Sequence, residues 1–369
     1  MKKHVTIVNY TGRKGGGPLD AIEMAKALAR KGAVIVPVVS RSVENIDDWI
    51  TETLFEKVIV IDTYGSKVTL AINSILFSFK QKKIIIEETK GYVVDTIYCP
   101  MVTFWTNKIN RLFPNAKVVV VNHDPVPHSG ANNLIVRLNE TIFKKADIVV
   151  VHSRRFLEYA KKQYKKAIYF PLGEHSLYKN KWNNKTIINY DPEKVNFLFF
   201  GRIADYKGLD CLGQAFAELE KKYPGKVALY VVGGGDFSPY NKFYEDVVNF
   251  ELINRWIGDN EVAGLYCGEN IVTVCPYKNA TQSGAVLVSY SFNAPVIVSD
   301  AGGLVEQVEN RKTGIIFKAS DYKSLQMAMA QFADNHTIIK EMRIPIKDYL
   351  QSISWDSSAE ILLKTVKSL

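Results

Sequence analysis

Short runs rich in Val and Ile alternate with segments of helix length along the whole chain, and no other feature restricts the fold as strongly. Residues 4–9, 33–39, 57–62, 83–87, 96–99, 117–122 and 147–152 are apolar without the polar alternation of a half-exposed strand. Such runs predict parallel strands buried on both faces. A second series follows at 197–200, 226–232, 271–275, 296–299 and 314–317. Between the two lies the polar stretch 180–194, where Asn183-Asn184-Lys185 and Asp191-Pro192 break the pattern. The expected architecture is α/β, with doubly wound Rossmann-like domains over residues 1–180 and 190–350 and a last helix within 356–369.

Length and composition agree, since 369 residues with 47% hydrophobic and 23% charged side chains suffice for two cores. No apolar run approaches the ~18 residues that span a bilayer. Met1-Lys2-Lys3 leads directly into a strand-like run, so a cytoplasmic location is expected. Cys99, Cys211, Cys267 and Cys275 show no metal-ligand spacing and read as buried free thiols, with no metal site. Charge is uneven: residues 1–180 carry 27 Lys/Arg against 16 Asp/Glu, and the remainder 20 against 22. The basic clusters, including Lys80-Gln81-Lys82-Lys83, Arg154-Arg155 and Lys161-Lys162, fit an anionic membrane surface, a diphosphate-bearing acceptor or a solvated basic face. No nucleic-acid reading motif accompanies them.

Glycine clusters close several of the expected strands. In Phe199-Phe200-Gly201-Arg202-Ile203-Ala204-Asp205-Tyr206-Lys207-Gly208, a guanidinium and an ammonium stand five residues apart, in a turn entering a helix near Leu209. Two cations and a helix N-terminus converging on one group is a diphosphate grip. Val231-Val232-Gly233-Gly234-Gly235-Asp236 and Ser299-Asp300-Ala301-Gly302-Gly303-Leu304-Val305-Glu306 follow, each closing a strand. In the first half, Tyr10-Thr11-Gly12-Arg13-Lys14-Gly15-Gly16-Gly17-Pro18 also runs from a strand into a helix, as a tight turn or an anion- or sugar-approaching loop. Asn122-His123-Asp124 and His128 follow the 117–121 run, with a polar density too high for a plain connection.

In that order the three C-terminal segments resemble the retaining nucleotide-sugar glycosyltransferases of the GT-B fold, specifically glycosyltransferase family 4 (group 1), over nearly the whole chain. The resemblance implies two Rossmann-like domains facing across a cleft, with the C-terminal helix crossing back to the first. It implies a nucleotide-sugar donor on the second domain, UDP-sugar ahead of GDP-sugar, a saccharide acceptor on the first, and no tightly bound cofactor. His123 corresponds to the family histidine that faces the reacting sugar, with His128 as the weaker candidate, and Asp124 is placed to orient a histidine or to bind acceptor hydroxyls. Arg202 and Lys207 correspond to the cations that stabilise the leaving diphosphate. Gly16, Gly17, Gly201, Gly233 and Gly234 line the donor loops, and Trp256-Ile257-Gly258-Asp259 lies toward the base.

One segment departs from the family. Pro276-Tyr277-Lys278-Asn279-Ala280-Thr281-Gln282-Ser283-Gly284 stands where two glutamates seven residues apart are usual, and neither position holds a carboxylate. It is similar to a bacterial branch with Ala-Thr-Gln-Ser-Gly, in which Gln282, Ser283 and Gly284 hold sugar or phosphate, and Glu306 is a substitute hydroxyl ligand or a helix-start charge. The function expected is metal-independent, retaining hexosyl transfer to a hydroxyl of a polyprenyl-diphosphate-linked saccharide in surface-polysaccharide synthesis. The apolar 68–79 segment beside Lys80 rests either at an anionic inner membrane face or inside the fold. A GT-B nucleotide-sugar epimerase and a non-catalytic nucleotide-sugar-binding partner subunit remain the rivals.

Overall fold

The computed structural model describes residues 2–64, 66–126 and 133–369. It resolves into two compact units, Met1–Gly173 with Ile353–Leu369, and Glu174–Ser352.

The first unit is built on strands β1 (Lys3–Tyr10), β2 (Ile35–Ser40), β3 (Ile59–Ile61), β4 (Tyr92–Cys99), β5 (Lys117–Val121), β6 (Ile148–Val151) and β7 (Ala167–Tyr169). They form one parallel sheet in the order β3-β2-β1-β4-β5-β6-β7. The second unit repeats the plan with β8 (Val195–Phe200), β9 (Val227–Val232), β10 (Phe250–Ile253), β11 (Ile271–Cys275), β12 (Val296–Ser299) and β13 (Gly314–Phe317), in the order β10-β9-β8-β11-β12-β13. Each sheet therefore grows outward from its first strand, then restarts on the other side. The restart puts a topological switch between β1 and β4 and between β8 and β11, where the loops leaving the carboxyl ends diverge and open a crevice.

Helices on both sheet faces explain the apolar strand composition. Every residue of β2, β6, β9 and β11 is buried. Helix Gly17–Arg30 covers the sheet with Ala21, Met24, Ala25 and Leu28, all buried. Helix Leu209–Lys222 does so with Leu209, Leu212, Phe216 and Leu219, the spacing of one helical face. Each unit has its own hydrophobic cluster.

The 83–87 run, read from sequence as a strand, is helical: Lys82–Thr89 continues helix Lys67–Leu76 through a π-turn at Phe77–Gln81. Its isoleucines favour a strand locally, but burial here follows a four-residue spacing through Phe77, Gln81, Ile85 and Thr89, while Ile86 is exposed. A strand buried on both faces would hide Ile86 as well as Ile85, and Ser66 caps the helix start with a reciprocal Thr69 bond. β7 and β10 were absent from the sequence reading because each is a short edge strand; in β10 Glu251 is exposed.

The C-terminal helix Trp355–Lys367 belongs to the first unit. It packs on helix Gly17–Arg30, with Arg30 donating to Asp356 at 2.9 Å and Lys31 paired with Glu360. The indole of Trp355 is 4% exposed and lies so close to Gly173 that a Cβ there would come within 2.3 Å of the ring. Truncation of Trp355 to alanine is expected to destabilise the first unit by about 3–5 kcal/mol. Urea denaturation followed by circular dichroism checks this, and an unchanged midpoint would show that the helix is not part of that unit's cooperative core.

Candidate functional site

At the switch between β8 and β11 the chain leaves β8 through Gly201 and Arg202, makes a single 3-10 turn at Asp205–Lys207, and enters helix Leu209–Lys222 through Gly208. Gly208 sits at φ 69°, and a Cβ there would lie 1.9 Å from the Pro276 carbonyl oxygen. Only glycine permits that approach of the β8 loop to the β11 loop. Two further contacts of the same kind tie in the neighbouring loops. A Cβ on Gly233 would meet the Gly201 carbonyl at 1.8 Å, and one on Gly302, at φ 53°, the Ala280 carbonyl at 1.7 Å. Backbone bonds accompany these contacts: Gly201 N–H to Val232, Ile203 N–H to Gly234, Lys278 N–H to Tyr206 and Gly303 N–H to Ala280, all 2.8–3.1 Å. Four post-strand loops thus pack backbone against backbone. Gly201 and Gly234 leave room above them, with no atom within 4 Å of a Cβ at Gly201 and 3.5 Å clear at Gly234.

Arg202 and Lys207 rise from this glycine-lined floor. Arg202 is exposed, and no carboxylate among the described residues pairs with it. The Lys207 ammonium lies over the Tyr277 ring, 3.6 Å from its centroid. The neighbouring cation, Lys278, is committed: it bonds Asp205 at 2.8 Å and Asp210 at 3.1 Å.

Gln282, Ser283 and Gly284 lead into helix Gly284–Ser291, whose N-cap Ser283 makes no side-chain cap. Ser283 is engaged inside the unit, its amide donating to Gln307 Oε1 at 2.7 Å and its hydroxyl 3.1 Å from that of Tyr277. Gln307 also donates back to the Ser283 carbonyl at 3.1 Å. Sequence reasoning missed this bracket, because a glutamine beyond the glycine pair carries no motif. The Gln282 Oε1 is buried without a hydrogen-bond partner, an acceptor costly to leave unmet. Glu306 closes a single 3-10 turn, Leu304–Glu306, so the reading of it as a helix-start charge is corrected: no α-helix begins there.

In the first unit, Gly16 caps helix Gly17–Arg30 with open space where a Cβ would sit, whereas one on Gly17 would press within 2.6 Å of Met101 Cε. His123, just beyond β5, is half-buried and donates from Nε2 to the Pro100 carbonyl at 2.8 Å. Its Nδ1 has no hydrogen-bond partner among the described residues, leaving that nitrogen as an acceptor. His152 lies against it, ring centroids 5.1 Å apart, with Nδ1 donating to Phe170 at 3.0 Å. Burial first, then the charge of His123, pushes the His152 imidazolium down to about 3. Asp124 is exposed, and His128 lies outside the described residues. All four cysteines are free; burial pushes the Cys99 and Cys211 thiols up to about 12, far from reactive.

Residues 194–335 match the family described as Glycosyl transferases group 1. An uncharacterised glycosyltransferase of Methanocaldococcus jannaschii is 23% identical over 63% of this chain and 61% of its own length. A D-inositol 3-phosphate glycosyltransferase of Rhodococcus erythropolis is 26% identical over 49% of this chain and 42% of its own. A GDP-mannose-dependent alpha-mannosyltransferase of Corynebacterium glutamicum is 22% identical over 48% and 41%. The chain thus spans about half the length of these relatives. Among solved structures, a sucrose-phosphate synthase of Thermosynechococcus elongatus superposes with a TM-score of 0.74 at 17% identity, covering 99% of this chain and 98% of that one. The Anabaena protein HepE in complex with UDP and glucose gives 0.72 at 14% identity, covering 99% and 100%. These likenesses show the fold, that of the GT-B glycosyltransferases.

Two outcomes follow from the geometry. Gly302→Ala is expected to cost about 2–4 kcal/mol through backbone overlap and positive φ, and Gly16→Ala less than about 0.5; urea midpoints distinguish them. His152 binds a proton more readily when unfolded, so its stabilising contribution is complete above pH ~6.5 and is lost as pH falls toward its folded value. Over that window the slope is at most ~1.4 kcal/mol per pH unit, and His152→Phe should remove it from the pH dependence of the urea midpoint.

Proposed function

We propose that this chain is a retaining, metal-independent glycosyltransferase of family 4, moving a hexose from a nucleotide sugar to a hydroxyl of a saccharide acceptor. The carrying observation is the pair Arg202 and Lys207 on a floor of glycine backbone at the β8–β11 switch. As the bond from the anomeric carbon to the donor phosphate breaks, charge builds on the leaving diphosphate. Fixed cations stabilise that charge more than the ground state, which accelerates the step. The acceptor oxygen bonds the anomeric carbon on the face the diphosphate leaves, and its proton passes to the departing phosphate oxygen, so no side chain need act as nucleophile. Gly201, Gly233, Gly234 and the 282–284 segment hold the donor, with Glu306 toward its hydroxyls. His123, held in one tautomer by Pro100, accepts a sugar hydroxyl at Nδ1, and the loop carrying Gly16 and Gly17 approaches the donor diphosphate and the acceptor. UDP is the preferred base carrier, a reading supported by the UDP-bound structural likeness, while the GDP-mannose-dependent relative keeps guanosine in the test.

We assign the acceptor to the lipid-linked saccharides of surface-polysaccharide synthesis, reached from an anionic membrane face. Ile72, Ile75, Leu76 and Phe79 lie at helical spacing, 41–75% exposed, beside exposed Lys80, Lys82 and Lys83. An outward apolar face flanked by cations suits the interface of an anionic bilayer.

Arg202→Ala and Lys207→Ala are each expected to lower kcat/KM about 10²- to 10³-fold. A thermal-shift series with UDP, GDP and nucleotide sugars should show stabilisation that Arg202→Ala abolishes. Nucleotide-sugar turnover without an acceptor would identify an epimerase, and binding without turnover a silent partner subunit. Phe79→Asp should release the protein from vesicles containing phosphatidylglycerol while leaving its melting temperature unchanged; equal binding by both proteins would sink the membrane assignment.

A further inference from the structure

We infer that Gln307 is a positioning residue for the donor loop: its carboxamide brackets the backbone of Ser283 and so sets the orientation of the peptide groups that open helix Gly284–Ser291. The inference rests on the donor reading above and adds to it what holds the 282–284 segment ready for a ligand.

The loop after β12 grips the loop after β11 at every third residue. The Ser299 hydroxyl donates to the Tyr277 carbonyl at 2.6 Å, the Gly303 amide to the Ala280 carbonyl at 3.1 Å, and Gln307 takes Ser283. The third grip alone makes two opposite bonds from one side chain. Gln307 Oε1 accepts the Ser283 N–H at 2.7 Å, while Nε2 donates to the Ser283 carbonyl at 3.1 Å. A carboxamide presents one acceptor and one donor side by side, the pattern that an antiparallel strand presents to the residue opposite. Gln307 is 8% exposed and Ser283 4%, so little water competes for either bond. Gln307 follows directly on the 3-10 turn Leu304–Glu306, its own amide bonded to the Leu304 carbonyl at 3.0 Å, so the turn that carries Glu306 is continuous with the bracket.

The bracket ends where the helix begins. Ser283 is the N-cap of Gly284–Ser291, yet its side chain caps none of the opening amides, and its hydroxyl lies 3.1 Å from that of Tyr277. The first N–H groups of a helix have no partner within it. With both peptide groups of Ser283 fixed, the amides that follow are ordered before any ligand arrives, which lowers the entropic cost of binding. The buried, unmet acceptor of Gln282 lies on the same held segment. Glutamate has the right shape for the bracket and the wrong chemistry. When ionised it cannot donate to the Ser283 carbonyl, and it brings a negative charge to a segment that receives a diphosphate.

The test titrates UDP and GDP into the full chain and into Gln307→Met and Gln307→Glu from about pH 5 to about pH 8, with a melting temperature beside each titration. Gln307→Met orphans both Ser283 groups at every pH and is expected to raise the dissociation constant about tenfold over that of the unaltered chain at the same pH. Gln307→Glu should match that loss near the upper limit and recover as pH falls. Burial and the facing carbonyl hold the introduced carboxyl above its usual ~4.3, and the protonated acid again offers one donor and one acceptor. A bracket that served stability alone would lower the melting temperatures and leave the dissociation constants of the folded variants unchanged; that result overturns the inference, as does a loss in Gln307→Glu that does not vary with pH. If neither variant folds, amide exchange in the unaltered chain carries the test. The Ser283 N–H should be protected without ligand, and the Gly284 N–H should gain protection when UDP binds; a Ser283 amide that exchanges as fast as an open loop, or no gain at Gly284, overturns the inference. A protected Ser283 in a chain that binds neither UDP nor GDP would instead sink the donor reading and leave the bracket a feature of the fold alone.

Discussion

The second unit depends on close approach of peptide groups. Where Gly208 meets Pro276, Gly233 meets Gly201 and Gly302 meets Ala280, main chain lies on main chain at distances no side chain survives. Loops are ordinarily the mobile part of an α/β unit, since they bury little apolar surface. Here the absence of side chains lets neighbouring loops interlock through peptide groups, and the sheet's rigidity extends past the strand ends. Arg202 and Lys207 therefore project from a floor with few internal degrees of freedom, the preorganisation that electrostatic stabilisation requires.

Charge in this region is distributed by type of partner. Lys278 faces carboxylates, Lys207 faces an aromatic ring, and Arg202 faces solvent. The first unit shows a related economy with its imidazoles: His123 and His152 each spend one ring nitrogen on a backbone carbonyl, and burial keeps His152 neutral.

Much of this could be read from the chain because buried parallel strands write themselves as unbroken apolar runs. The ends of β11, β12 and β13 were placed to the residue, and the glycine clusters marked the loops. What escaped was whatever depends on partners distant in sequence. Ile84, Ile85 and Ile86 look like a strand until the helix preceding them is known to continue through a π-turn. Gln307 has no local signature, and its bracket on Ser283 exists only once the β11 and β12 loops are side by side. Tyr277 reads as one more core aromatic until Lys207 is seen above it. Of the two readings of Glu306, hydroxyl ligand or helix-start charge, the second fails because the chain makes a single 3-10 turn there and no α-helix follows.

The placement of the C-terminal helix also bears on how the protein is made. Domains usually complete themselves in the order in which they are synthesised. Here the contiguous unit Glu174–Ser352 has all its residues before the first unit receives Ile353–Leu369. Until then, the surface of helix Gly17–Arg30 beneath Asp356 and Glu360, and the niche at Gly173 filled by Trp355, stay uncovered on the growing chain. The unit whose synthesis starts first is thus completed after the other, and a nascent chain passes through a stage in which the second unit is whole while the first still lacks its closing helix.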